Sequence, residues 1–130
     1  MTDCRELAIL PTDPVLGEHF EAYLCSAIEE AARLFHRPPA VQQVRIAVTT
    51  DGPETKPLGS GGDLVTVDRN TPQNWHFQLA HESVHCVLGA EHFHWSHEML
   101  ATVFSIDHLN QSGDLRARGN RRRRSHILQG

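Results

Sequence analysis

The stretch that decides the fold is FQLAHESVHCVLG, residues 77–89, in which the pattern His-Glu-x-x-His lies inside an apolar run. Residues four apart share one face of an α-helix, so His81 and His85 can point their imidazoles at the same metal ion. Glu82 lies about a hundred degrees further round the helix, where its carboxylate can reach a water molecule near that ion. The spacing therefore predicts the metal site of a zinc hydrolase on a helix that ends at Gly89.

A second helix is predicted directly after this stretch, over residues 97–110. Glu98 lies near its start, on a side otherwise occupied by the small residues Ala101, Thr102 and Ser105. Small residues allow two helix backbones to approach closely, so a carboxylate at Glu98 can reach a metal held by the preceding helix.

A competing arrangement uses His92 as the third ligand. It corresponds to the longer pattern His-Glu-x-x-His-x-x-Gly-x-x-His of metzincins, in which a glycine turn brings a third histidine to the metal. In this chain Gly89 and His92 come one residue late for that pattern. The required turn is therefore out of register, although His92 stays open as an alternative to Glu98. His76, five residues before His81, lies well off the ligand face and is predicted not to bind the metal.

The rest of the chain indicates an α+β fold. Apolar periodicity predicts an amphipathic helix over residues 15–35, and alternation predicts a strand over 44–48. Residues 51–63 are rich in glycine and proline and are expected to form a flexible connection. The short strand predicted over 64–67 is interpreted as an ordinary hairpin strand, with a sheet edge that pairs with substrate as the alternative. Residues 1–12 have no clear period and are expected to be a poorly ordered arm or a short edge strand.

Length and composition favour one soluble domain. A chain of 130 residues can bury a single core, and neither a secretory signal nor a bilayer-spanning run is visible, so a cytoplasmic location is expected. Its three cysteines are widely spaced and are expected to be reduced. The formal net charge is -4, but six arginines lie near the C-terminus. Residues 1–112 are therefore assigned to the domain, and 113–130 to a basic, disordered tail that either solubilises the chain or contacts nucleic acid or an acidic partner.

Two motifs resemble those of a known family. The run FQLAHESVH of residues 77–85 is similar to the Phe-Thr-Leu-Ala-His-Glu-x-Gly-His signature of the ImmA/IrrE family of small gluzincin metallopeptidases. Glu98-x-x-Ala101-x-x-Phe104-Ser105 is similar to the downstream Glu-x-x-Ala-Asn-x-Phe-Ala element, whose glutamate is the third zinc ligand in that family. The predicted order of helices and strands agrees over about residues 14–109.

The resemblance implies a small zincin-like domain, in which a short twisted sheet packs on the N-terminal helix, the His-Glu-x-x-His helix and the following glutamate helix. It implies Zn²⁺ held by His81, His85 and Glu98, with Glu82 as the catalytic base of a metallopeptidase. The implied substrate is a protein or peptide, such as a regulatory protein, and no membrane partner is implied.

Three departures from the family pattern bear on the site. Val84 stands where the family has glycine, Thr102 stands where it has Asn or Asp, and the short connection to Glu98 must turn tightly at Gly89. Without an acid at Thr102, Asp68 or Asp107 would have to orient a histidine ligand. The alternative function is therefore a catalytically silent module of the same fold that binds a partner or nucleic acid through its tail.

The sequence does not single out one residue that would stabilise an oxyanion. Four side chains are candidates by chemistry alone, namely Tyr23, His92, His94 and His97.

Overall fold

The computed structural model describes residues 2–4, 7–59, 61–90 and 95–111. These residues form an α+β domain with a five-stranded sheet in the order β1-β2-β3-β5-β4. The central strands β2, β3 and β5 are parallel, whereas β1 and β4 pair antiparallel at the two edges. The strands are β1 Thr2–Cys4, β2 Leu7–Pro11, β3 Gln43–Thr49, β4 Glu54–Pro57 and β5 Gly62–Asp68.

Three helices accompany the sheet: α1 Glu18–Leu34, α2 Trp75–Leu88 and α3 Trp95–Gln111. Helix α1 connects the parallel strands β2 and β3, as a crossover between parallel strands requires. Helix α2 contacts both other helices as well as β5 and β4. Helix α1 contacts β1 and β2, so among the described elements α1 and α2 together join the helical layer to the sheet. Across the described ranges, every helix falls short, in length or in apolar content, of what a bilayer crossing requires.

The core lies between the sheet and α1 and α2, and apolar spacing explains which side chains enter it. In β3 every second residue points inward, so Val44 and Ile46 are fully buried. In α1, Leu24 and Ile28 are four residues apart on the buried face. The predictions for 15–35, 44–48 and 97–110 are confirmed to within about three residues at either end, and the helix predicted to end at Gly89 ends at Leu88.

The strand over 64–67 forms a hairpin with the strand before it, as interpreted, because β4 and β5 pair antiparallel. The alternative of a sheet edge at this strand is wrong. Strand β5 is internal, paired with β3 on one side and β4 on the other, and most of its residues are buried. The edge strand on this side of the sheet is β4, which lies inside the segment 51–63 that was expected to be a flexible connection. A short strand with exposed charges and Pro57 at its end is typical of an edge, and these same features make it hard to recognise in sequence.

The N-terminal segment is more ordered than expected. Strand β2 is not an arm but an inner strand between β1 and β3, and of these two N-terminal strands β1 is the one that lies at an edge. Its buried side chains Leu7 and Ile9 alternate with less buried neighbours, which is a strand pattern too short to stand out before Pro11.

The expectation of three reduced cysteines was also wrong. Cys25 in α1 is disulfide-bonded, whereas Cys86 in α2 is a free, buried thiol. Disulfide pairing depends on which elements the fold brings together, and cysteine spacing alone does not contain that information. The basic tail predicted over 113–130 lies outside the described residues.

Candidate metal centre

Side-chain hydrogen bonds fasten the start of α2 to the end of β5. The Gln78 side chain accepts from the Asp68 N–H at 2.8 Å and donates to Thr71 Oγ1 at 2.8 Å. The Trp75 indole N–H donates to the Asp68 carbonyl at 2.7 Å. These bonds fix the position of α2. They therefore also fix the position of the His81 side chain, which lies one helical turn after Gln78.

The chain turns at the end of α2 through Gly89. Its φ of 105° is one that residues with a side chain rarely adopt, and its N–H donates to the His85 carbonyl at 2.9 Å. The tight turn predicted at Gly89 is therefore present. Beyond it, α3 packs along α2, with Ala101 and Ser105 fully buried.

The structure brings His81, His85 and Glu98 together, as the sequence predicts. Glu98 Oε2 lies 3.0 Å from His81 Nε2, and Glu98 Oε1 lies 2.7 Å from His85 Nε2. One ligand atom from each residue fits within 4.8 Å of the other two. Across the described part of the chain, this is the one group of three or more such side chains that could hold a metal ion.

The donors of this cluster fit a metal better than an isolated ion pair. Two imidazole nitrogens and one carboxylate are the ligands of a catalytic zinc site that keeps a fourth position open. Two such ligands about 2.05 Å from a tetrahedral ion lie about 3.3 Å apart, which is close to the two separations between Glu98 and the imidazoles. Burial lowers the pKa of His85, although the Glu98 charge acts in the opposite direction. The lowered pKa favours the neutral ring that binds metals.

Glu82 shares the cavity but not the ligand cluster. Its side chain is buried, and Thr55 Oγ1 on β4 donates a hydrogen bond to Glu82 Oε1 at 2.7 Å. Burial raises the pKa of Glu82 to about 6, while the Thr55 hydrogen bond acts in the opposite direction. The result is a carboxylate that is ionised near neutral pH yet accepts a proton more readily than an exposed glutamate.

Thr55 is the site residue that the sequence did not predict. It lies in β4, within the segment that was expected to be a flexible connection. The available signal was slight: a threonine between Glu54 and Lys56 gives only one step of strand-like alternation.

An open cavity of about 500 Å³ surrounds these groups. One wall is the edge strand β4 and the residue before it, and another is the exposed side of α2. Its described lining comprises Pro53, Glu54, Thr55, Phe77, Gln78, His81, Glu82, His85, Ala90 and Glu98.

The oxyanion candidates are only partly placed by the structure. Tyr23 does not line the cavity, because its ring packs against His76 and His108 elsewhere. His92 and His94 lie outside the described residues, so the His92 alternative to Glu98 is not tested. His97 lies close enough to His85 for its charge to lower the pKa of that ring, after the larger effect of burial.

The acids expected to compensate for Thr102 do not lie at the described part of the cavity. Thr102 is exposed, and its carbonyl accepts a hydrogen bond from the Ser105 hydroxyl at 2.7 Å. Neither Asp68 nor Asp107 is among the described lining residues. Val84 is fully buried in the core.

Comparison with protein-family models, with curated proteins and with solved structures finds no match to this chain.

Proposed function

We propose that this chain is a zinc-dependent metallopeptidase of the gluzincin type, similar in site and fold to the ImmA/IrrE family, that hydrolyses a peptide bond in a protein substrate. The observation that carries the proposal is the juxtaposition of a buried Glu82 with a three-ligand cluster in one open cavity. An ion pair between Glu98 and the two histidines that served stability alone would not need a second carboxylate, that of Glu82, held beside it by Thr55.

In this proposal His81, His85 and Glu98 hold the zinc ion. When bound, the ion supplies a Lewis acid that lowers the pKa of a water molecule and polarises the scissile carbonyl. The choice of zinc follows from the donor set, because two imidazoles and one carboxylate with an open position are typical of its hydrolytic sites.

Glu82 acts as the general base. Because Thr55 donates to Oε1, the other carboxylate oxygen can accept a proton from water. A pKa of about 6 lets the same group then return that proton to the leaving amine near neutral pH. Thr55 holds the carboxylate in place during both transfers.

The position of β4 supports a peptide as substrate. Within the described sheet, β4 pairs with β5 on one side only, so its other edge can accept an extended chain. Glu54 and Thr55 of this strand line the cavity that contains Glu82. A peptide paired with β4 would therefore pass beside the metal ligands.

The deciding experiment compares wild type with Glu82→Gln. The amide keeps the shape of the side chain but cannot accept the proton, so the variant should bind zinc stoichiometrically and keep its thermal stability while turnover is lost. Cleavage is measured on unfolded proteins and on a panel of regulatory proteins, with a chelator-treated wild type as the control.

Two outcomes count against the peptidase. If wild type binds zinc but cleaves nothing in a broad panel, the alternative of a catalytically silent binding module replaces it. The observation that favours that alternative is the exposed Thr102, which offers no acid to orient a histidine ligand. If both proteins cleave equally, Glu82 is not the base and the activity belongs to a contaminant.

A further inference from the structure

A second pair of imidazoles meets away from the metal centre. His19 Nε2 and His76 Nε2 lie 2.6 Å apart. Each histidine is the second residue of its helix, His19 in α1 and His76 in α2. Two ring nitrogens from separate elements therefore point at one place where α1 and α2 begin.

This pair is separate from the cluster at Glu98. His76 precedes His81 by five residues, which places it about 140° round α2. His76 faces α1, where its ring contacts Phe20 and Tyr23, and it does not line the catalytic cavity. The prediction that His76 is not a ligand of the first site is consistent with this placement.

Packing holds the two rings in position. The Tyr23 ring lies edge-on to His76 with ring centres 4.7 Å apart, and Phe20 lies 5.2 Å from both imidazoles. His19 is exposed, whereas His76 is half-buried. The pair is thus preorganised on the protein side and open to solvent on the other.

The separation of the two nitrogens is close to that of neighbouring metal ligands. Two neutral imidazoles can form only one N–H···N bond, and 2.6 Å is short for a bond of that kind. Ligands about 2.05 Å from an ion lie about 2.9 Å apart at a right angle and about 3.3 Å apart at the tetrahedral angle. The right-angled, tetragonal arrangement needs the smaller movement, and imidazole ligands in that geometry are typical of Cu²⁺ and Ni²⁺.

We infer that His19 and His76 form a second metal site that takes Cu²⁺ or Ni²⁺ in preference to Zn²⁺, with solvent in the remaining positions. Because the ligands come from different helices, the bound ion links the start of α1 to the start of α2. The site does not depend on the proposed peptidase activity.

The test is a titration of the purified chain with Cu²⁺ alone, followed by equilibrium dialysis and electron paramagnetic resonance. His19→Ala removes an exposed ligand without touching the core and should lose one equivalent of Cu²⁺ together with its two-nitrogen signal. His76→Gln should lose the same equivalent. His36→Asn is the matched control, since His36 is an exposed histidine at a φ of 54°, which asparagine tolerates, and it should bind as wild type does.

Thermal melts provide a second readout. Added Ni²⁺ should raise the Tm of wild type and of His36→Asn more than that of His19→Ala, because only the first two keep the link between the helices. Equal Cu²⁺ stoichiometry and equal Ni²⁺ stabilisation in wild type and His19→Ala would overturn the inference and leave the pair as a hydrogen bond only. Glu98→Ala should keep the second site. A failure of this inference can therefore be distinguished from a failure of the peptidase proposal.

Discussion

At the scale of single residues, Glu98 converts a two-histidine motif into a three-ligand cluster, because each carboxylate oxygen approaches a different imidazole. Glu98→Ala should therefore weaken zinc affinity by orders of magnitude, as measured by competition with a chromogenic chelator. The neighbouring His97→Ala serves as the control and should bind zinc nearly as wild type does. If His92→Ala lost zinc while Glu98→Ala kept it, the third ligand would be His92.

Thr55 is expected to act on catalysis through Glu82. Thr55→Val keeps the shape of the side chain but removes the hydroxyl that donates to the carboxylate, and hydrogen bonds to charged groups contribute about 1.5–3 kcal/mol. We expect kcat to fall about tenfold or more, with zinc affinity and KM nearly unchanged. The control is Thr50→Val, an exposed threonine before β4. A parallel loss of zinc affinity would show instead that Thr55 supports the metal site as a whole.

These residues also show how far sequence alone could go. His81, His85 and Glu98 were predictable because each depends on spacing within one helix or on small neighbours along the next one. Thr55 was not, because its role depends on how β4 is placed beside α2. That placement is a tertiary contact that no local pattern encodes.

At the scale of elements, helices were easier to predict than sheet order. The long apolar periods of α1 and α2 define them locally, whereas strand order follows from which strands pair across the whole domain. Strand β5 was interpreted as a hairpin strand, with an edge strand as the alternative, because four apolar and β-branched residues fit either position. Its antiparallel pairing with β4 agrees with the first interpretation. Only its parallel pairing with β3 makes it internal.

Helix α3 carries a buried histidine that should make folding pH-dependent. Burial lowers the pKa of His108 below its ordinary value of 6.5, despite the charges of Glu30 and Asp107. The unfolded chain therefore takes up a proton that the folded chain resists, and stability falls as the pH falls through that value. His108→Leu should show a smaller loss of Tm between about pH 7.5 and 5.5.

The matched control for this variant is again His36→Asn, which removes an exposed histidine. His108 Nε2 has no hydrogen-bond partner among the described residues, so leucine should not cost stability at neutral pH by leaving a group unpaired. An equal loss of Tm in wild type and His108→Leu would place the pH dependence elsewhere, for example at His85.

At the scale of the whole molecule, α2 joins the helices to the sheet and also carries two ligands of the candidate centre. The third ligand of the candidate centre, Glu98, lies on α3. The described contacts of α3 are chiefly with α2. A bound ion would therefore link α3 to the rest of the domain. The same ion would leave the pairing of β3 with β5 largely unaffected.

Metal removal should accordingly destabilise the protein unevenly. A ligand present at about a thousand times its Kd adds about 4 kcal/mol to the free energy of unfolding, so chelation should lower the Tm of the zinc-loaded protein by several degrees. Hydrogen exchange should accelerate most in α3, because its attachment to α2 loses the ion, and least in β3 and β5. Glu98→Ala should show a Tm and exchange pattern that hardly respond to chelator. If chelation left wild-type α3 as protected as before, zinc would not be joining α2 to α3, and the three side chains would be a hydrogen-bonded cluster without a structural ion.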